Sequence, residues 1–350
     1  MKKKTSIHDI AKQLNVSAAT VSYVLNGKSA EKRISAGMEK KILAYVEESG
    51  YRPNRVAKSL RTGKSKIIGM LVEDISDPFF SSISRIIEAH AHKLDYKIFH
   101  ASTENDVTIT RDLIQVFRDT QVDGYIIAPP PGIEKDIAAL IDDNLPVVLF
   151  DRFFPELNTH NVVVDNLQGA GDAIQHLISN GYSNIGFVTL DSQQTQMNDR
   201  LRGYENAMQQ AGLSSVVLKI PYDMERENLV KEKTNQFLEA NPQLDAILFA
   251  TNYLAIGGLE AIHNRKLKIP NDIAVVGFDD NTHFSLFSPS VSAVAQPVEE
   301  MSKTVIEELM KVLSGKEKTL SRETIVLPTK LIVRQSSVSL VNKTVSKTTL

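Results

Sequence analysis

The sequence predicts an all-α head followed by an α/β body of two doubly wound parallel-sheet lobes. Three observations carry this. Up to about residue 50 the apolar residues recur only at helical spacing. From Ile67 onward, short β-branched runs alternate with amphipathic segments, the pattern of parallel sheets covered on both faces. Charge divides at the same place: residues 1–66 hold 15 of the 40 Lys and Arg but 5 of the 42 Asp and Glu, which leaves the remainder acidic at 25 against 37. A basic head on an acidic body suits a polyanion-binding module attached to a self-repelling globule. At 350 residues the chain exceeds one ordinary domain, and 42% hydrophobic against 23% charged residues places it among globular proteins.

The head divides into three helices. Ile7, Ile10, Ala11 and Leu14 form one apolar stripe, Val21, Val24 and Leu25 a second, and Met38, Ile42, Ala44, Tyr45 and Val46 a third that stops before Gly50. The first two, Ile7 to Leu14 and Ala18 to Asn26, are separated by Asn15 to Ser17 and have the dimensions of a helix-turn-helix. Ser17 is a natural N-cap, Ala11 is small where the helices must approach, and Val16 can plug the turn. With Val21, Val24 and Leu25 turned inward, the opposite face presents Ala18, Ala19, Ser22, Tyr23 and Asn26. A helix kept only for solubility would carry Lys and Glu there. Short and hydroxylated side chains instead allow close approach to bases and phosphates.

"GYRPNRVAKSLRTGKSK" then punctuates the chain: Pro53 breaks, Asn54 can cap, and Gly63 ends a basic segment with room for one or two helical turns. In the body, strands are expected in "IIGMLVED", "YKIFHAS", "GYIIAPP", "PVVLFD", "NVVVDN", "NIGFVTL", "AILFATN" and "IAVVGFDD", about ten in all. Helices are expected at 79–94, 109–120, 133–143, 167–180, 200–211, 228–240, 254–266 and 298–313. The polar end, residues 338–350, is expected to be a loose tail without a coiled coil.

Composition narrows the function classes. With no cysteine there is no disulfide, thiolate metal site or cysteine nucleophile. No run approaches the length of a membrane span, and the basic start lacks the apolar stretch of a secretory signal, so a cytoplasmic protein with no membrane partner is expected. "TGKSK" lacks the first glycine and the preceding strand of a phosphate loop. His90 and His92 diverge on a helix, and no G-x-S-x-G or H-E-x-x-H motif occurs. No catalytic residue, metal site or cofactor is therefore expected.

Several strands end in a polar residue: Asp74, Asp151, Asn252 and Asp279. Ligands of doubly wound sheets bind outside the carboxyl ends of strands, so these four side chains could converge on one cleft and accept hydrogen bonds from vicinal hydroxyls. Each could equally be a helix cap or turn former. Arg202, read at a helix start, could fork to an oxygen. Phe79 and Phe80 could stack on a sugar ring, although at least one is expected in the core.

Here a family resemblance becomes plain. The pattern T-x-x-x-DIA-x-x-x-x-VS-x-x-TVS-x-VLN runs through Thr5, Asp9 to Ala11, Val16, Ser17, Thr20 to Ser22 and Val24 to Asn26. The match continues through "GYRPNRVAKSLRTGKS", "IGMLVEDISDPFF", "DNLQGAGDAIQHLISNGYSNIGFV", "IPNDIAVVGFDD" and "LPTKLIVRQSS". The chain resembles the lactose-repressor (LacI/GalR) family of bacterial transcription regulators over nearly its whole length. The resemblance implies a helix-turn-helix domain at 1–50, a linker with a hinge helix at 51–64, and an effector-binding and dimerisation body at 65–337 with a periplasmic-binding-protein-like fold. Lobe 1 would take about 65–164 and 296–325, and lobe 2 about 165–295 and 326–337.

It further implies that Thr5, Ser17, Ala18, Ala19, Thr20, Ser22, Tyr23 and Asn26 meet DNA, that Asn54 caps the hinge helix, that Arg55, Lys58 and Arg61 face phosphates, and that Leu60 wedges into the minor groove. Many family members carry Arg where Tyr23 stands, so a common guanine contact is absent. The implied effector pocket is Asp74, Phe79, Asp151, Arg202, Asn252, Asp279 and Gln296, and the family's usual Asn-Asp pair reads Asn252-Tyr253. The expected function is a DNA-binding repressor, dimeric on a palindromic operator, controlled allosterically by a sugar-like effector. A transport receptor would share the two-lobed body but would have an export signal and no basic head. An enzyme on this scaffold would need a nucleophile or acid–base pair.

Overall fold

Each of the three described helices near the N-terminus begins at a serine. In the computed structural model, which describes residues 5–51, 63–222, 226–315 and 323–338, Ser6, Ser17 and Ser35 cap α1 (Ile7–Gln13), α2 (Ala18–Leu25) and α3 (Ala36–Glu48). Each hydroxyl accepts from a backbone N–H that the first helical turn leaves unpaired. Ser6 and Asp9 complete a reciprocal capping box. Ile10, Ala11, Val21, Val24 and Ile42 form the core of this unit, with Val16 packed against it from the turn, where Asn15 adopts a left-handed φ of +49°. The hinge-helix residues Asn54, Arg55, Lys58, Leu60 and Arg61, and the tail from residue 339, lie outside the described residues.

The chain divides into two units, Met1–Ser65 and Lys66–Leu350. In the second, twelve described strands form two six-stranded sheets. The first runs β11-β5-β4-β3-β1-β2, from β1 (Ile67–Val72), β2 (Lys97–Ser102), β3 (Gly124–Ile127), β4 (Val147–Phe150), β5 (His160–Val164) and β11 (Thr324–Leu327), all parallel. The second runs β12-β10-β9-β8-β6-β7, from β6 (Ile185–Leu190), β7 (Val216–Ile220), β8 (Ala246–Phe249), β9 (Ala274–Phe278), β10 (Ser292–Ala295) and β12 (Lys330–Ile332), with β12 antiparallel. Both lobes therefore repeat the order 2-1-3-4-5, whose ligand crevice lies at the carboxyl ends of the strands.

Helices α4 (Pro78–Lys93), α5 (Val107–Asp119), α6 (Glu134–Asp142) and α11 (Val298–Leu313) cover the first sheet. The strand pleat sorts its residues: Ile68, Met70 and Val72 join the core under α4 and α11, whereas Leu71 joins that under α5 and α6. Helices α7 (Asn166–Ser179), α8 (Thr195–Gln210), α9 (Arg226–Ala240) and α10 (Asn252–Asn264) belong to the second lobe. The chain passes between the lobes after β5, after β10 and after β11. At the last passage β11 continues through Leu327, which pairs with Val164 and is buried in the first lobe's core.

Candidate functional site

The carboxyl ends of the two sheets line one narrow cleft with about 30 Å³ of water-accessible room. From the first lobe come Glu73 after β1, Asp77 and Phe79 at the start of α4, and Asp151 and Arg152 after β4. From the second come Arg200 of α8, Asn252 at the start of α10, Asp279 after β9 and Gln296 after β10.

Five of the seven expected effector residues line it: Phe79, Asp151, Asn252, Asp279 and Gln296. Asp74 does not. Its carboxylate accepts from the backbone N–H and hydroxyl of Ser76, the turn-forming role, and the neighbouring Glu73 lines the cleft instead. Arg202 does not either: its side chain is 64% exposed and pairs with Asp199. Helix α8 starts at Thr195, five residues before the expected 200. Gln196, Met197, Arg200, Gly203, Tyr204 and Ala207 face inward at 3.6-residue spacing, so Arg202 points the opposite way. Phe79 and Phe80 both belong to the first lobe's core and both reach the cleft, in edge contact with each other at 5.1 Å.

Arg200 is fully buried. Its Nε donates to Asn166 Oδ1 at 2.8 Å, its Nη1 donates to the Ala250 carbonyl at 2.6 Å, and Asp279 Oδ2 lies 3.5 Å away. The guanidinium stacks on the Phe278 ring, 3.6 Å from its centroid. Gln296 Nε2 donates to Asp279 Oδ1 at 2.5 Å. In the first lobe, Arg152 Nη1 donates to Glu73 Oε2 at 2.8 Å, both buried. Asp151 Oδ2 stands 3.9 Å from Arg152 Nε, an ion pair too long for a hydrogen bond.

Burial pushes the Asp151 carboxyl up to about 6, opposed by Arg152 and Arg200 and reinforced by Asp279 and Glu73. Asp77, which caps α4 by accepting from Phe79 N–H, is also raised to about 6, by burial and then by the Asp279 charge, against the hydrogen bond from Asn252 across the cleft. A second bridge between the lobes runs from Gln194 Nε2 to Asn105 Oδ1 at 3.0 Å. Glu73, Asp77, Arg152, Gln194, Gln196 and Arg200 were not singled out from the sequence. The one legible signal was "SDPFF", an N-cap followed by Pro at the first helical position. Among the described residues no cluster of His, Asp and Glu could hold a metal ion.

In the N-terminal unit, Ser17 Oγ accepts from Thr20 N–H at 3.0 Å and bonds Thr20 Oγ1 at 2.8 Å. Asn26 turns its amide back onto the Ser22 carbonyl at 2.6 Å. Ser17, Ala19 and Asn26 are exposed, Thr5, Thr20, Ser22 and Tyr23 half-buried, and Ala18 packs partly against the core. Lys32 Nζ sits 5.5 Å from the Tyr23 ring centroid. The face beside these residues is free of acidic side chains within α2.

A helix-turn-helix unit followed by a two-lobed α/β body with a polar cleft is the plan of a ligand-responsive DNA-binding regulator. Residues 6–54 match the profile of bacterial regulatory proteins of the lacI family, and residues 174–337 that of a periplasmic binding protein-like domain. The transcriptional regulator RegA of Clostridium saccharobutylicum is 33% identical over 336 residues, 95% of this chain and 99% of that protein. The ribose operon repressor of Halalkalibacterium halodurans is 31% identical, covering 95% and 97%. The lac repressor dimer bound to operator and the anti-inducer ONPF superposes with a TM-score of 0.84 at 22% identity, over 96% of this chain and 100% of that one, and shows the shared fold. The chain belongs to the lacI family of bacterial regulatory proteins and is a DNA-binding transcription regulator.

Proposed function

We propose that the protein is a cytoplasmic, homodimeric repressor whose affinity for a palindromic operator is set by a sugar or sugar derivative bound between the two lobes. The observation that carries this is the convergence of Asp151, Asp279 and Gln296 from strand ends, Asn252 from the start of α10 and Arg200 from α8, in one cleft between the lobes of a chain that also has a helix-turn-helix. Fixed acceptors on both walls suit the vicinal hydroxyls of a sugar, and a ligand gripped from both sides favours one arrangement of the lobes over another. Thr5, Ser17, Ala18, Ala19, Thr20, Ser22, Tyr23 and Asn26 would meet the operator, and one head would read one half-site, so a twofold operator calls for two copies. Asn54, Arg55, Lys58 and Leu60 would add the hinge contacts.

Inducer and corepressor fit the same architecture, and coupling is reciprocal: a ligand that weakens operator binding is itself held more weakly by the operator complex. The test is fluorescence anisotropy of the full chain on a labelled duplex from its own upstream region, over a salt series, with a sugar and sugar-acid panel. Palindrome-dependent binding shifted by one compound supports the reading. Ligand affinity identical with and without operator would sink it.

A further inference from the structure

The cleft holds an imbalance of charge and a set of unmatched polar atoms that together describe its occupant. Four carboxylates, Glu73, Asp77, Asp151 and Asp279, face two guanidiniums, Arg152 and Arg200. Each guanidinium already has a carboxylate of its own: Glu73 at 2.8 Å from Arg152 and Asp279 at 3.5 Å from Arg200. The two remaining carboxyls have no cation to themselves, so the cleft is net acidic.

Four buried atoms of the lining have no hydrogen-bond partner among the described residues: the donors Nε and Nη2 of Arg152, and the acceptors Oε1 of Gln196 and Oε1 of Gln296. All three residues are at least nine-tenths buried. Gln296 cannot relieve its acceptor by turning over, because its amide nitrogen is the group that donates to Asp279. Buried polar atoms without partners are rare and costly; these four belong to the cleft lining, while His100 Nδ1, Thr234 Oγ1 and Asn281 Nδ2 lie elsewhere.

Two donors and two acceptors left over together call for a partner that both gives and takes hydrogen bonds. A hydroxyl does both; a phosphate or carboxylate group only accepts, so it could answer Arg152 but not the glutamines, and its charge would stand against four carboxylates. We infer that the cleft selects an uncharged polyhydroxylated compound and rejects its phosphorylated or acidic counterpart, with Arg152, Gln196 and Gln296 as specificity-determining contacts. The inference rests on the reading of this cleft as the effector site.

The experiment is titration calorimetry of the full-length protein with D-ribose, D-glucose, D-galactose and D-fructose, the terminal phosphate ester of each, and the matching uronic or aldonic acids. The same compounds are added to the operator-binding assay. A neutral sugar should bind at least about tenfold more tightly than its own charged derivatives. A charged derivative binding as tightly or better would overturn the charge selection while leaving the effector site standing. Failure of both series, with no shift in operator affinity, would overturn the effector reading and this inference with it.

Two variants separate contact from folding. Gln196→Leu should weaken the neutral sugar about tenfold and lower the thermal midpoint only slightly, since it removes an unpartnered buried acceptor together with the long 3.4 Å donation from Gln196 Nε2 to Gln194 Oε1; unchanged affinity would remove Gln196 from the contacts. Asp77→Asn keeps a residue suited to the N-cap and should narrow the gap between neutral and phosphorylated sugar several-fold. An unaltered gap would show that the carboxylates do not set the selection.

Discussion

Asp151 and Asp279 occupy equivalent places in the two lobes: each follows the phenylalanine that ends its strand, Phe150 of β4 or Phe278 of β9, and each has a left-handed backbone, with φ of +65° and +67°. Asp is among the few side-chain-bearing residues that visit this region readily. The turn aims both carboxylates out of their sheets and into the same cleft. Asp279→Ala is therefore expected to abolish the ligand response and to leave operator binding intact, with about 1 kcal/mol of backbone strain added. Asp279→Asn should relieve that strain and still fail to anchor Arg200. A ligand response preserved in the alanine variant, measured by anisotropy, would remove Asp279 from the site.

Arg200 and Arg202 lie two residues apart and predict opposite outcomes. Arg200→Met strips a buried carboxylate of its cation and two acceptors of their donor, and breaking such a pair costs about 3–5 kcal/mol. Arg202→Ala touches only an exposed pair with Asp199 and should change stability by less than about 1 kcal/mol. Urea unfolding of both variants decides this, and equal losses would contradict the helix phase.

The raised carboxyls of Asp77 and Asp151 give the cleft a pH dependence. Their folded pKa values, about 6, exceed the ordinary carboxyl value, so the folded chain holds more protons than the unfolded one between about 4 and 6. The penalty of ionising them is absent below that window, grows as pH rises through it, and is complete above it. The groups facing them are Glu73, Asp279, Arg152, Arg200 and Asn252. A sugar whose hydroxyls donate to the ionised carboxylates should bind more tightly as pH rises through about 6 and release protons there. Calorimetry at that pH in buffers of different ionisation enthalpy measures the release, and flat affinity across the window would refute it.

Gly203 fixes how closely α8 approaches α7. A Cβ there would lie 2.2 Å from the Leu167 carbonyl oxygen, a backbone atom that cannot swing aside. Gly203→Ala should destabilise the second lobe by about 1–3 kcal/mol or more. Gly171→Ala meets nothing nearer than 3.8 Å and, mid-helix, should be neutral or stabilising by up to about 1 kcal/mol. Thermal unfolding of the pair provides the comparison.

Ser17 is the N-cap of α2 and the first residue of its exposed face. Ser17→Ala should cost about 1 kcal/mol in the N-terminal unit, and it should lower operator affinity at every salt concentration tested. Affinity unchanged on the labelled duplex would confine Ser17 to capping.

The sequence by itself determined the lacI-family plan of head and body. It placed the head helices within a residue or two, because caps and apolar stripes are local features: Ser17, Val21 and Val24 declare α2 without help from the rest of the chain. It placed eight of the twelve described strands for the same reason, and the polar residues that follow β4, β8 and β9 as cleft candidates. Strands β7, β10, β11 and β12 were not legible, because "VVLKI", "SAVA", "TIVL" and "KLI" are partly apolar edges or small-residue runs completed by neighbours distant in sequence.

Tertiary structure decided which polar residues meet. Helix α8 has a polar inward face, Gln196 and Arg200 among Met197, Tyr204 and Ala207, so hydrophobic periodicity could not show where it starts. Its phase follows from packing against α7 and against Phe278, and that phase sends Arg200 into the cleft and Arg202 to the surface. Asp74 and Glu73 were separated in the same way: strand direction and the turn through Ser76 assign one to a local hydrogen bond and the other to Arg152, 79 residues away. A local pattern records what each residue does to its own backbone. Pairing of buried charges is set by long-range geometry, which only the folded chain contains.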